Sequence, residues 1–146
     1  MGYCVSVGGV VKIKKTNADK TIKLLGELMD SVNERGGGSS FIGGEIRYRY
    51  FSWVSTNTVK DCLKNNDLVG ALREWRYIFN ESDSGDLCFE YFDGEKLGDD
   101  EVLWEALAPA IDKGGELEYR GEDDARWRYL FDGTGMTEQV GQTIWI

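Results

Sequence analysis

Three carboxylates stand consecutively at Glu122, Asp123 and Asp124, shortly after Glu116 and Glu118, and a second acidic run lies at Asp99, Asp100 and Glu101. Oxygen donors of this type suit magnesium-like cations and metal-assisted hydrolysis. Three adjacent residues rarely converge on one ion, however, and no histidine or lysine constellation accompanies them, so the sequence points to no resident metal and no cofactor. Gathered on one face, the same eight carboxylates would form an anionic surface that imitates the spacing of phosphates and steers the chain onto a basic groove of another protein. The plainer alternative makes Glu122, Asp123 and Asp124 a solvated hairpin turn. Arg126 and Arg128 would then pair across strands on the outer face, with Trp127 as a core anchor.

A second constellation runs through residues 46–54, where Arg47, Tyr48, Arg49, Tyr50 and Trp53 interleave cations with aromatic rings. With Trp75 they could line a small-molecule or nucleotide pocket beneath the neighbouring glycine-rich stretch, or stack on unpaired bases. The glycines of an RNA-recognition motif are missing, and a strand contributing to the core accounts for the same residues. Of the three cysteines, Cys4 and Cys88 sit in strand-like runs that suit a core. Cys62, between Asp61 and Lys64, is the one candidate nucleophile, and it would need a cation or a helix N-terminus to activate it. The chain has no histidine, which removes Ser-His-Asp, Cys-His and His-ligated zinc chemistry together. No catalytic residue is assigned on these grounds.

Charge divides the chain. Residues 1–80 carry 12 basic and 8 acidic side chains, a balance of +4, and residues 81–146 carry 5 and 18, a balance of −13. Such acidity opposes duplex nucleic acid, whose binding depends on cations displacing counterions. An odd number of widely spaced cysteines fits neither a disulfide framework nor a zinc set and implies a reducing, cytoplasmic setting. No stretch approaches the ~18 apolar residues of a membrane span, and no apolar leader precedes a cleavage site. Gly2 and Ser6 satisfy the loose acylation pattern, with Cys4 as a second lipid site, but a single chain without a basic patch anchors only weakly.

The run from Gly121 to Gly133, Gly-Glu-Asp-Asp-Ala-Arg-Trp-Arg-Tyr-Leu-Phe-Asp-Gly, with Trp145 beyond it, resembles a C-terminal pattern of small acidic proteins of phages and mobile elements. Asp124 stands where that pattern commonly carries a glycine, which bears on the type of turn. The resemblance brings no catalytic assignment. It implies an accessory protein of a mobile genome, a class that often works by binding and blocking a host defence component. The expectation is therefore a non-enzymatic inhibitor of a host defence or nucleic-acid enzyme.

The elements that must position these residues alternate as one α+β domain over 1–146. Tyr3, Val5 and Val7 open a first strand that continues, with room for a bulge, past Gly8-Gly9 through Val10, Val11 and Ile13. Thr16 or Asn17 then caps a helix with Ile22, Leu25, Leu28, Met29 and Val32 on its apolar side, ending at Gly36. Residues 36–44 read as a loop without regular structure. Its end, Gly44-Glu45, lacks the Gly-Lys-Ser/Thr of a phosphate loop. A strand over 46–54 is followed by helices near 58–65 and 67–76, the second capped by Asp67 with Leu68, Leu72 and Trp75 on one side. Tyr77–Phe79 and Leu87–Phe92 predict a hairpin turning at residues 82–85. Asp99 and Asp100 open a helix whose end Pro109 disturbs, and residues 117–146 predict a three-stranded meander. Its inward residues are Leu117 and Tyr119, then Trp127, Tyr129 and Phe131; after an Asp132-Gly133 turn, Val140, Gln142, Ile144 and Ile146 share a parity on the last strand, with Trp145 opposite. The sheet is expected to be antiparallel or mixed, with the helices on one face.

Overall fold

The structure, a computed structural model, describes residues 3–32, 39–42, 45–48, 50–142 and 144–145, with the backbone alone for 39–42 and 45–48. It is an α+β fold in which β1 (Val5–Val10), β7 (Glu116–Gly121), β8 (Arg126–Phe131) and β9 (Met136–Val140) form one antiparallel sheet in that order. A second antiparallel sheet has the order β2 (Lys12–Ile13), β6 (Leu87–Phe92), β5 (Tyr77–Glu81). Only Val11 separates β1 from β2, so one extended segment serves both sheets, and the Val11 carbonyl accepts from Phe89 N at 2.9 Å. Odd-numbered Val5, Val11 and Ile13 are buried and Val7 is half-buried, while Val10 is 72% exposed. The pairing runs unbroken from Val5 opposite Gly121 to Val10 opposite Glu116. The bulge considered for this strand is absent, and the register shift falls instead between Ile78 and Phe79 in β5.

The meander β7–β8–β9 follows its predicted parity over its first two strands. Leu117, Tyr119, Tyr129 and Phe131 are buried and Trp127 is half-buried, while Glu118, Arg120, Arg126 and Arg128 are exposed on the opposite side. Asp132 makes the second turn, accepting from Thr134 N at 2.9 Å and Gly135 N at 2.8 Å, which holds its carboxyl down at about 2. The last strand stops at Val140; Gln142, Ile144 and Trp145 are exposed outside any strand, and Ile146 lies outside the described residues.

The helices cover the inner face. In α4 (Asp100–Leu107) Leu103, Trp104 and Leu107 are fully buried, and Trp104 stands edge-on to Tyr77 at 4.9 Å and to Phe131 at 6.2 Å. Pro109 closes it with the predicted irregular turn, a 3₁₀ turn over Ala108–Ala110. Helix α1 (Ala18–Asp30) buries Thr21, Leu25, Leu28 and Met29 and packs on α4 and on α2 (Thr56–Lys64). It ends six residues before the expected Gly36, which lies outside the described residues. Thr16 lies inside a 3₁₀ turn and Asn17 makes no side-chain cap bond, its Nδ2 donating instead to the Ala110 carbonyl at 3.4 Å, while Thr21 Oγ1 donates to the Asn17 carbonyl at 2.7 Å. Helix α3 (Leu68–Glu74) starts where predicted, with Asp67 Oδ1 accepting from Gly70 N at 2.9 Å.

The segment 36–48 departs furthest from expectation. Ser39–Ile42 (β3) and Glu45–Tyr48 (β4) pair as an antiparallel hairpin, Ser39 opposite Tyr48 and Ile42 opposite Glu45. Cross-strand backbone bonding supplies the order that serine and glycine side chains do not signal. Gly43 and Gly44 lie outside the described residues, as does Arg49. The long strand expected over 46–54 stops at Tyr48. The chain then turns at Ser52-Trp53, with Val54 N donating to the Phe51 carbonyl at 3.2 Å, which places Phe51 inside and Trp53 outside although the two share strand parity.

Candidate functional site

The eight carboxylates do not share a face. Asp100 is 2% exposed at the centre of the core, beneath the inner face of β7. Its Oδ2 accepts from the Tyr77 hydroxyl at 2.7 Å and its Oδ1 from Gly98 N at 2.8 Å, and the Tyr77 hydroxyl meets that of Tyr119 at 2.8 Å. Arg76 Nη2 stands 3.6 Å from Asp100 Oδ1 while its Nη1 donates to the Lys96 carbonyl at 2.6 Å. Burial raises the Asp100 carboxyl above the usual range against the lowering pull of these donors, and raises both tyrosines as well. Asp99 is half-buried and accepts from Ser52 N at 2.8 Å. Asp100 belongs to the scaffold and not to a partner surface, while Asp99 bonds the turn at Ser52.

Glu101 is exposed at the start of α4, where burial and the nearby Glu138 and Glu105 carboxylates push its carboxyl up. Glu116 and Glu118 lie on the outer side of the sheet, interleaved with arginines: Arg128 Nη1 reaches Glu116 at 3.4 Å and Arg128 Nε donates to Gln139 at 2.7 Å. The cross-strand pairing expected of Arg128 is present. Arg126 makes no such pair among the described residues. That face carries mixed charge, whereas the acid concentrates elsewhere.

One such concentration is the β7–β8 turn. Glu122, Asp123 and Asp124 are all exposed there, and the β6–α4 loop brings Glu95 alongside. Glu122 N donates to the Cys4 carbonyl at 3.0 Å and Val5 N to the Glu95 carbonyl at 2.7 Å, so the first residues of the chain tie turn and loop together. A cleft of about 580 Å³ opens between them, lined by Cys4, Glu95, Arg120, Glu122 and Asp124 among others. The Tyr3 hydroxyl donates to Asp123, which also accepts from Ala125 N at 3.1 Å; the first bond lowers the Asp123 carboxyl and pushes the Tyr3 hydroxyl up to about 12. Gly121 is required beneath this clasp, because the Tyr3 ring and hydroxyl occupy the place of a Cβ. Asp124 sits at φ 65°, a left-handed position that glycine adopts most readily, and it pairs with Arg120 at 3.0 Å.

With Asp123 bound to Tyr3 and Asp124 to Arg120, the three residues splay rather than converge. Among the described residues no group of three histidine, cysteine, aspartate or glutamate side chains is placed to hold a metal ion. Sequence reasoning missed Glu95 and Tyr3, whose roles arise from contacts across the fold.

The aromatic constellation separates as well. Trp75 is buried and packs on Phe51 at 5.2 Å, so it is a core residue and not a pocket wall, while Tyr50 and Trp53 point outward at 48% and 61% exposure. The side chains of Arg47 and Tyr48, like the whole of Arg49, lie outside the described residues. Cys62 is half-buried on α2. Burial, then Asp67, Glu74 and Asp61, raise its thiol, the reverse of what activates a nucleophile. Cys4, expected in the core, is exposed at the acidic corner: it precedes β1, its side chain falls on the side opposite that of buried Val5, and its carbonyl accepts from Glu122 N. No helix is long and apolar enough to cross a membrane among the described residues.

No known protein family, curated protein or solved structure matches this chain.

Proposed function

We propose that the chain is a non-catalytic binding protein that docks on a basic surface of a partner protein through the acidic corner formed by Glu95, Glu122, Asp123 and Asp124. The observation that supports this reading is the bracing of the corner. Four exposed carboxylates on two separate loops are held in place by backbone bonds to Cys4 and Val5 and by the Tyr3 clasp. A preformed surface loses less entropy on docking, and a net charge of −9 accelerates encounter with a cationic partner. The same charge opposes phosphate backbones. The resemblance to phage and mobile-element proteins adds the biological class, an inhibitor of a host defence or nucleic-acid enzyme acting in the host-cell cytoplasm.

The test is capture of bacterial proteins on the immobilised chain after nuclease treatment, with the Glu95→Lys/Glu122→Lys variant beside it. These two side chains are exposed and make no bond that holds the corner together. A stoichiometric protein partner with a basic surface, retained at low salt and lost with the variant, is the expected result. A partner retained equally by the variant, or one released by nuclease, contradicts the reading.

A further inference from the structure

Residues 51–54 form a turn closed by Val54 N donating to the Phe51 carbonyl at 3.2 Å, and Trp53, its third residue, has φ 68°. That position of a turn is the ordinary place of glycine, since a side chain there is strained. Here it carries the bulkiest side chain of all, and 61% of it is exposed, so the fold gains little burial in return. The surroundings enforce the conformation. Phe51 is locked against Trp75 in the core, and Asp99 Oδ2 accepts from Ser52 N at 2.8 Å. Glu74 Oε1 accepts from Ser55 N at 2.9 Å, and Gly98 makes room, because a Cβ there would stand 2.7 Å from Ser52 Cβ and 3.1 Å from Trp53 Cδ1. A strained residue that its surroundings over-determine and the core does not use points to function.

The chemistry around the ring selects its occupant. Asp99 and Glu74, both half-buried beside the turn, have no cation partner among the described residues. An exposed aromatic ring on a turn flanked by two carboxylates favours a guanidinium or ammonium group. A nucleic-acid base or a lipid headgroup, which would also use an exposed tryptophan, brings phosphate toward the same carboxylates and is disfavoured. The β6–α4 loop joins this turn to the acidic corner, Glu95 at one end and Gly98-Asp99 at the other, and four residues of chain span at most about 14 Å.

We propose that Trp53 is the aromatic anchor of the docking surface and receives an arginine or lysine side chain of the partner protein against its ring. This rests on the basic-partner reading above and names where the contact is centred. The experiment follows the Trp53 indole N–H by NMR, assigned by its loss in Trp53→Gly, during titration with deca-arginine, a thymidine decamer and phosphatidylglycerol vesicles. Trp53→Asn, which also tolerates a left-handed backbone, replaces the glycine variant should that not fold. Deca-arginine is expected to shift the indole and to bind either variant about tenfold more weakly, the scale of a cation–π contact. Both variants are expected to melt no lower than the parent chain, because the strain is relieved.

An unmoved indole, equal binding by the variants, or a response to the decamer or vesicles instead overturns the anchor. The Glu95→Lys/Glu122→Lys variant separates the two claims. Deca-arginine binding lost there but unchanged in Trp53→Gly defeats the anchor and leaves the corner standing; no binding to the parent chain defeats both.

Discussion

A carboxyl that burial holds above the ordinary range binds its proton more tightly in the folded chain than in the unfolded one, and Asp100 is such a group. Its contribution is therefore largest below the unfolded carboxylate value of about 3.9 and declines as pH rises through that value toward the raised folded one. Asp123 and Asp132, whose carboxyls are lowered, act with the opposite sign: what their bonds contribute is present above the unfolded value and lost as pH falls through their folded values. Asp100→Asn is expected to remove the first of these slopes, so that the difference in urea midpoint between parent and variant changes with pH across the acid range. Asp100→Ala removes the carboxylate that Arg76 and the Tyr77 hydroxyl share, leaving them Lys96 and Tyr119, and is expected to destabilise the chain by about 3 kcal/mol, read from the same unfolding curves. At the corner, Tyr3→Phe removes the donor to Asp123, and the expected outcome is a rise of the Asp123 carboxyl toward its ordinary value in an NMR titration. Gly121→Ala should produce the same rise by evicting the Tyr3 ring.

Elements were legible in the sequence where a local signal coincided with the final packing. Asp67 three residues before Gly70 is such a signal: its cap is made, and Asp67→Ala is expected to cost about 1 kcal/mol in the thermal or urea unfolding of the whole chain. The alternation in β7 and β8 and the Asp132 turn belong to the same class, because one side of that sheet meets a helix and the other water. Where the deciding contact is distant, the local pattern misleads. Trp53 follows strand parity on paper, yet Asp99 and Gly98, more than forty positions further on, hold a turn there. Asp100 looks like a dipole-favoured carboxylate at an exposed helix start and is instead drawn inward by Tyr77 and Tyr119. The β3–β4 hairpin was hidden because its order comes from backbone pairing. Of the eight proposed contact residues, three stand together at the corner, and the fourth member, Glu95, came from a loop that carries no motif.

For the whole molecule the charge division survives folding in a changed form. The −13 of residues 81–146 is spread over the buried core, the β5–β6 hairpin, α4 with Glu138, a mixed outer face and the corner, so the surface available to a partner is smaller and more defined than the sum suggests. Arg120, Arg126 and Arg128 account for three of the five cations of that half and all lie on β7 and β8; Arg120 reaches Asp124 at the corner, whereas Glu95 and Glu122 have no cation partner among the described residues. Docking led by such a corner is governed by encounter and therefore by ionic strength. The most direct measurement is the association rate constant with the captured partner as a function of salt, for the parent chain and for Glu95→Lys/Glu122→Lys. The account predicts a rate that falls steeply with salt for the parent, and a variant about tenfold slower at low salt whose dissociation is little changed. A rate indifferent to salt and to charge reversal would contradict it.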